Sequence, residues 1–511
     1  MSKKKVIIIG SGISGLTAGI YLLDNGFDVT IYEKHFLPGG ECTGWYRKNH
    51  YLDGCAHWID GTNPKDQLFK LWKHIGAFDE NSTIYNMDYL AKFEYGDKVY
   101  TLYSDINDLK KELLSISKED KRQINKFIRT IKRFCLTSIP TIKPIDMMNI
   151  FELISFGIRF LPMALSFKKY SNMSVEEYSK RFKSKVIQDM LNRWLNKNYK
   201  MSSFFYVLQE AYKKNAGVVK GGSLEMSNRI ANTFKNLGGK IFYDKEVSKI
   251  LVENNVAKGV LFADGNIENA DYIVPACDIH HTFYDLLDNK YTPKYFSDRF
   301  NNVKSNPLNC AIYLSFKVTK DLSKQPKMMD YKCEGFNIGE IKLNHIQVRN
   351  YSFDDTYIKD GETLISIIVP SSEDVYIKLK SLSKADYNKE KENIASSIKN
   401  LLIEKMHLSD KEIVLLDIAT PLTYERYLNA YHGSYMAFVN LPKHKGLMQK
   451  GTIKNLKHLV IASQWLMPPG GLPIALFLGK HAAIRICKEE KIRFKNKEEK
   501  SVTNKNTKEK K

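Results

Sequence analysis

The chain has 511 residues, 43% of them hydrophobic and 12% aromatic, which excludes a mainly disordered protein and leaves room for two to three structural units. Lys and Arg number 78 against 57 Asp and Glu, so the formal net charge is +21, a balance that invites anionic partners such as nucleic acid or an acidic membrane face. The seven cysteines are scattered without a C-x-x-C pair and the twelve histidines form no ligand-spaced cluster, which argues against a disulfide framework and against a zinc site.

Val6-Ile7-Ile8-Ile9 is an unbroken β-branched run, the pattern of a strand buried on both faces in a parallel sheet. It starts so early that no room remains for a signal peptide, and a cytoplasmic, reducing setting is expected. A glycine-rich turn and a helix follow, then a second strand from Val29 to Tyr32, the opening of a βαβ unit.

Ser115 to Tyr212 reads as largely helical. Within it, Met147 to Phe167 carries only Glu152 and Arg159 as charges and ends against Lys168-Lys169. Gly157, Pro162 and the two charges argue against a clean membrane span, and an amphipathic, interfacial helix pair fits better. A pair of helices buried against the rest of the domain has the same composition. From Gly217 the pattern returns to α/β: a helix after Gly221-Gly222, short strands at Ile241–Tyr243, Val247–Val252 and Gly259–Phe262, a turn at Asp264-Gly265, and a strand at Tyr272–Val274. Strands at Ala311–Phe316 and Leu364–Val369 and a helix at Lys384–Lys405 suggest a second, sheet-based domain. Leu459–Ala462 reads as one more short buried strand, leading into a Pro/Gly turn and a helix from Leu472. The segment from Lys488 onward holds ten Lys/Arg and five Asp/Glu, and its last dozen residues read as disordered.

The chemistry-bearing motif is Gly10-Ser11-Gly12-Ile13-Ser14-Gly15, a G-x-G-x-x-G between strand and helix. Gly10 makes the tight turn, Gly12 lets a pyrophosphate approach the backbone, and Gly15 lets helix and strand pack closely. The N–H groups of Ile13 and Ser14 then open a helix whose positive end faces the phosphate. Glu33, followed by Lys34, closes the next strand 18 residues after Gly15, where a carboxylate can accept from a ribose diol. Gly39-Gly40 follows at once and permits close backbone approach to a large, extended cofactor.

This opening resembles the FAD-containing carotenoid desaturase, carotenoid isomerase and retinol saturase group within the wider amine-oxidase-like flavoproteins. The resemblance covers nearly the whole chain. It rests on Gly39-Gly40 with Tyr51-Leu52-Asp53-Gly54, on Lys220-Gly221-Gly222-Ser223 with Gly238-Gly239, and on Gly259-Val260 through Asp264-Gly265 to Asp271. Thr420-Pro421-Leu422-Thr423-Tyr424-Glu425-Arg426-Tyr427, Gly433-Ser434-Tyr435 and the closing Pro468–Pro473 turn complete the order of motifs. Two places depart from the pattern: Glu41-Cys42 stands where the group often has Arg after the paired glycines, and Ala462-Ser463-Gln464-Trp465 stands near the C-terminal strand.

The resemblance implies an α/β fold: a Rossmann-like FAD-binding domain of the amine-oxidase type, interleaved with a mixed-sheet substrate domain and a helical, membrane-associating subdomain. It divides the chain into FAD-binding stretches at 1–110, 216–285 and 426–494, a helical region at 111–215, a sheet-bearing substrate region at 286–425 and a disordered basic tail at 495–511. FAD would lie with its ADP end on Gly10–Gly15 and Glu33, with Val247 on the adenine side. Gly470-Gly471 and Leu472-Pro473 would start the helix facing the flavin. His57, after Asp53-Gly54-Cys55-Ala56, leans toward the retinol saturase type and would donate a proton or shape the flavin pocket. Glu425 and Arg426 are expected to form a structural ion pair.

The implied activity is FAD-dependent oxidation or reduction at carbon–carbon bonds of a polyene, carotenoid, retinoid or other isoprenoid-like lipid. Desaturation, saturation and isomerisation share this architecture and stay open. Two alternatives remain: an amine-oxidase-like enzyme on a soluble amine, and a non-catalytic isoprenoid-binding chaperone of the same fold. Nucleic acid is not an expected partner, because no reader motif accompanies the charge. The expected location is cytoplasmic, peripheral on the inner face of an anionic membrane.

Overall fold

The computed structural model describes residues 3–55, 58–79, 82–136, 143–338, 341–444 and 448–498. The β-branched run forms the strand Lys5–Ile9, and its four apolar residues are between 0 and 6% exposed. Burying each such side chain contributes about 1.5–3 kcal/mol, so this strand anchors the domain. It pairs in parallel with Asp28–Tyr32 on one side and Tyr272–Pro275 on the other, and Lys240–Phe242 extends the sheet beyond Asp28–Tyr32.

Leu459–Ala462, expected as a strand, is buried but forms only isolated bridges. Val460 N–H donates to Ile273 O and Ala462 N–H to Pro275 O, so the segment does lie along the sheet edge. Pro275 has no N–H to return, which interrupts the ladder.

The helix Ile13–Asp24 crosses the C-terminal helix Leu472–Glu489 at close range: a Cβ on Gly479 would stand 2.4 Å from the Ser14 carbonyl oxygen. Lys495–Glu498, read from sequence as the start of a disordered tail, dock on this pair. Lys495 N–H donates to Asn25 Oδ1, Lys497 Nζ lies 2.6 Å from Asp24 and Glu498 accepts from Lys480 at 2.7 Å. The last dozen residues of the tail lie outside the described residues.

The second sheet runs Ile413–Ala419, Leu308–Val318, Glu362–Ser371, Ile341–Asn350, Met328–Ile338, Tyr89–Tyr95, Lys98–Tyr103, with Ile358–Lys359 and Met436–Phe438 attached. Its pairings are antiparallel except Met328–Ile338 with Tyr89–Tyr95. Tyr89–Tyr103 therefore belongs with the substrate sheet, not with the first FAD-binding stretch at 1–110. The pairing joins residues more than 200 positions apart, a relation that local pattern does not carry.

Among the described residues, six α-helices fill the region between Ile106 and Tyr212 around their own aromatic core, which includes Phe127, Phe134, Tyr178, Phe182 and Phe205. A buried ion pair ties this region to the sheet: Arg193 donates through Nε and Nη2 to Asp330, whose other oxygen meets His345 Nδ1 at 2.9 Å. Breaking such a pair costs about 3–5 kcal/mol because the remaining charge stays buried.

The apolar segment forms one long helix, Ile150–Ser171, with a 73° turn between Ile150–Leu161 and Met163–Ser171. Pro162 sits at the turn, where it has no N–H for the helical ladder. Asn149 and Glu152 form a capping box at its start. Among the described residues no single helix is long and apolar enough to cross a membrane, and these halves meet that test only as a bent pair.

Candidate cofactor site and substrate cavity

The glycine loop ends the first strand. Gly10 takes φ +100° and donates its N–H to Tyr32 O, which makes the turn. A Cβ on Gly15 would lie 2.1 Å from the Gly10 carbonyl oxygen, so only glycine lets the helix start this close. Gly12 is different: a Cβ there would meet nothing nearer than the Gly39 carbonyl oxygen at 3.9 Å, so the space before it is open. Gly12 caps Ile13–Asp24 with no side-chain cap, which leaves the first helical N–H groups turned to the cavity.

Gly39 N–H donates to Ser11 O and lays the Gly39-Gly40 turn on the glycine loop. Glu33 is buried; one oxygen accepts from Ser11 N–H at 2.6 Å and Ser11 Oγ at 2.9 Å, the other from His35 N–H at 2.8 Å. Lys34 donates to the Asn429 side chain and stands 3.4 Å from Glu246, next to buried Val247.

At the far end Gly470 and Gly471 take φ +90° and +106° and open the helix Leu472–Glu489, with Pro473 in its first turn. Gln464 holds this turn: its Oε1 accepts from Gly471 N–H at 2.7 Å while its Nε2 donates to Glu41 at 2.8 Å. One cavity of about 770 Å³ takes in both ends. Gly10, Gly12, Ile13, Ser14, Glu33, Lys34, Gly39, Gly40, Val247, Gly470, Gly471, Leu472 and Pro473 all line it. Gly15 packs behind them against Gly10. His57 lies outside the described residues.

The profile of the flavin containing amine oxidoreductases matches residues 13–385. The chain belongs to that family. A 4,4'-diapophytoene desaturase (4,4'-diapolycopene-forming) of Methylomonas sp. is 22% identical over 96% of this chain and 97% of its own length. The chloroplastic prolycopene isomerase of Daucus carota is 24% identical over 88% of this chain and 73% of its own length. Among solved structures, a redesigned putrescine oxidase superposes with a TM-score of 0.59 at 14% identity, covering 95% of this chain and 99% of that one. That likeness shows the shared fold.

FAD is the cofactor of this family member, and the residues fit it. Two uncapped helix N-termini face one cavity, an open glycine stands at the first, and a buried acid stands beside the glycine loop. The loop amides and Ile13–Ser14 would hold the pyrophosphate and Glu33 the ribose, while Gly470–Pro473 would face the flavin. Glu33 already accepts three protein hydrogen bonds, so a ribose diol would add to that set.

Asp278 escaped the sequence reading. Asp278 follows the strand Tyr272–Pro275 and accepts from the N–H groups of His280, His281 and Tyr431; burial pushes its carboxyl up to about 6. Its position beyond the carboxyl end of a parallel strand was the available signal. Burial likewise drives Glu41 well above the usual carboxylate range, against the pull of Gln464. Cys42 and Cys55 line the cavity too, and a contact with Cys42 followed by burial raises the Cys55 thiol. Tyr199, Tyr313, Tyr424 and Tyr435 add phenols to the wall.

The expected Glu425–Arg426 ion pair is absent. Glu425 instead accepts from Tyr376 Oη and Lys380 Nζ, each at 2.6 Å, and the Arg426 guanidinium lies 4.6 Å over the Tyr427 ring. Consecutive helical residues point in different directions, so adjacency in sequence favoured no contact.

Proposed function

We propose that this protein uses FAD to oxidise, reduce or isomerise carbon–carbon bonds of a polyene or isoprenoid-like lipid, and that it takes this substrate from an anionic membrane surface. The observation that carries the reading is the aromatic part of the cavity wall. Phe156, Phe160, Met163 and Phe167 of the bent helix line the cavity there, and the Phe156 and Phe160 rings stack at 5.6 Å. The cavity lining as a whole is mostly apolar, which suits a long apolar chain and excludes water from the reacting carbons. The activities for which the desaturase and isomerase relatives are named support the same substrate class.

When bound, FAD supplies the two-electron acceptor or donor that an unactivated carbon–carbon bond requires. This chain's contribution is to hold the apolar chain, align it beside the Gly470–Gly471 turn and keep water out.

The outward side of the same helix supports the membrane part of the proposal. Phe151, Ile158, Leu161 and Leu165 are 65–79% exposed, and Arg159, Lys168 and Lys169 are exposed among them. An apolar face with a basic fringe fits an interface of lipid tails and acidic headgroups. On this reading the protein is a peripheral protein on the cytoplasmic membrane face.

The test is anaerobic incubation of the flavin-loaded protein with candidate polyenes. Expected outcomes are bleaching by a chain to be desaturated, reoxidation of reduced flavin by a chain to be saturated, or a new geometric isomer without net bleaching. Bleaching by soluble amines, with no response or product from any polyene, would replace this reading with amine oxidation.

A further inference from the structure

Cys42 and Cys55 face each other across the foot of a β-hairpin. The strands Gly44–Arg47 and His50–Asp53 pair antiparallel, with Arg47 opposite His50 and Gly44 opposite Asp53. Lys48 and Asn49, with φ +47° and +65°, make the two-residue turn. The ladder runs one rung past the strands, where Gly54 N–H donates to Thr43 O at 2.9 Å. The next pair in this register is Cys42 with Cys55. Hydrogen-bonded and non-hydrogen-bonded pairs alternate along a hairpin, so this pair, like Tyr46 with Tyr51, falls at a non-hydrogen-bonded position. The Tyr46 and Tyr51 rings meet at 5.5 Å on that face. Residues opposite each other at such a position hold their Cα atoms about 4.5 Å apart, within the span of a disulfide. Both cysteines are free, and their thiols are already in contact.

Both residues line the cofactor cavity. Cys42 is 1% exposed and its Sγ lies 3.9 Å from Ser223 O, whereas Cys55 is half-buried and the more accessible of the two. The contact with Cys42, then burial and the neighbouring acids Asp53 and Glu41 raise the Cys55 thiol, which makes it a slow nucleophile. The same surroundings do nothing to stabilise a thiolate, so they favour a bridge once it has formed. Cys42 also belongs to the cofactor loop. Its N–H donates to Gly39 O, and its carbonyl accepts from Ser227 Oγ. The residue before it, Glu41, accepts from Gln464, which holds Gly471. Fixing Cys42 therefore fixes the segment that joins the two ends of the FAD site.

We propose that Cys42 and Cys55 are a reversible redox pair that hydrogen peroxide closes to a disulfide, locking the cofactor loop. Reduced flavins yield peroxide when they meet dioxygen, so a flavin site supplies this oxidant from within. Cys55 Sγ takes one oxygen of the peroxide, the O–O bond breaks and water leaves, which oxidises the thiol to a sulfenic acid. Cys42 Sγ then attacks that sulfur; the S–S bond forms, the S–O bond breaks and a second water leaves. Two electrons and two hydrogens pass from the thiols to the peroxide. A dithiol reductant reopens the bridge by exchange. The inference rests on the cavity as the flavin site and on no particular substrate.

The test treats the FAD-loaded protein with stoichiometric hydrogen peroxide, unfolds it, alkylates free thiols with iodoacetamide and maps the peptides by mass. The seven cysteines less the linked pair are expected to be alkylated, with the Cys42 and Cys55 peptides joined and lighter by two hydrogens. Dithiothreitol before alkylation should restore all seven. In Cys42→Ala, Cys55 is expected to stop at the sulfenic acid, captured by dimedone. In Cys55→Ala, the secluded Cys42 is expected to keep its thiol. Cys277 is the internal comparison: it lines the same cavity, 3.4 Å from Thr282 Oγ1, and should stay unlinked. Release of FAD into chaotropic salt should slow several-fold in the bridged wild type and in neither variant. The wild-type map decides the pairing whether or not the variants fold. Two free thiols after peroxide, a sulfinic acid at Cys55 of the wild type, or a bridge between other cysteines overturns the pair. A Cys42–Cys55 bridge that leaves FAD release unchanged overturns the locking of the loop.

Discussion

Ser11 donates both its amide and its hydroxyl to a single carboxylate oxygen of Glu33, at 2.6 and 2.9 Å. The acid expected to read a ribose is thereby also a strut that holds the glycine loop against the second strand. Hydrogen bonds to a charged acceptor contribute about 1.5–3 kcal/mol each. Glu33→Ala is therefore expected to destabilise the flavin-free protein by about 2 kcal/mol or more and to weaken FAD binding at least about tenfold. Urea unfolding of the apoprotein and a flavin titration check the two effects separately. An unchanged apoprotein with weakened FAD binding would reduce Glu33 to a ribose contact.

Two glycines of the same loop are expected to behave oppositely. A side chain at Gly12 projects into open space, its Cβ 3.9 Å from the Gly39 carbonyl oxygen, whereas one at Gly15 drives into the Gly10 backbone at 2.1 Å. Gly12→Val should fold with a melting temperature within a few degrees of wild type and lose most of its bound flavin. Gly15→Ala should lose both fold stability and flavin. Normal flavin content in Gly12→Val would remove the pyrophosphate from this loop.

Local signals in the sequence marked out the sites where backbone geometry alone decides. Val6–Ile9, the glycine loop, Gly39-Gly40 and Gly470-Gly471 are legible because a buried parallel strand and a positive φ each demand particular residue types. The bent helix was legible from its apolar run and from Pro162, and its two faces emerge at helical spacing: Ile150, Ile154 and Ile158 outward, Phe156, Phe160, Met163 and Phe167 to the cavity. What was not legible depends on contacts between distant residues. Tyr89–Tyr95 pairs with Met328–Ile338 across the chain, and Gln464 pins the flavin-side turn from a segment that departs from the family pattern.

His280 sets a pH prediction. Its ring stacks between Tyr284 and Tyr431, with centroids 4.2 and 4.0 Å away, and burial lowers it from 6.5 to about 4. Asp285 opposes that fall, while His432 and His281 add to it. A histidine held neutral in the fold stabilises it fully above pH 6.5, and the contribution is lost as pH falls from 6.5 toward 4. A fully buried ring would contribute about 3 kcal/mol; with part of this one exposed, about half is expected. Asp278, raised to about 6, works in the opposite direction over the same window, so the wild-type curve alone mixes the two. His280→Phe keeps the stack and removes the titration. Its urea midpoint, relative to wild type, should rise as pH is lowered from 7 to 4.5. A constant difference across that range would mean that His280 titrates normally.

The helix Ile150–Ser171 gives the prediction that separates membrane docking from simple exposure. Phe151 and Leu165 are 79 and 78% exposed, and Ile158 is 67% exposed, so replacing all three with Glu removes no packed contact. The melting temperature should stay within a few degrees of wild type. Binding to vesicles that contain acidic lipids should fall at least about tenfold, since each change removes apolar burial and adds repulsion from the headgroups. Lys168→Glu with Lys169→Glu should weaken the same binding and make it less sensitive to salt, because the basic fringe acts within a Debye length of about 10 Å at 0.1 M salt. Phe160→Glu is the control from the other face: it lines the cavity, so it should impair polyene binding and leave vesicle binding near wild type. Sedimentation with neutral and acidic vesicles measures all three. If the triple variant still sediments like wild type, the exposed face has a different occupant, and the substrate reaches the aromatic part of the cavity by another path.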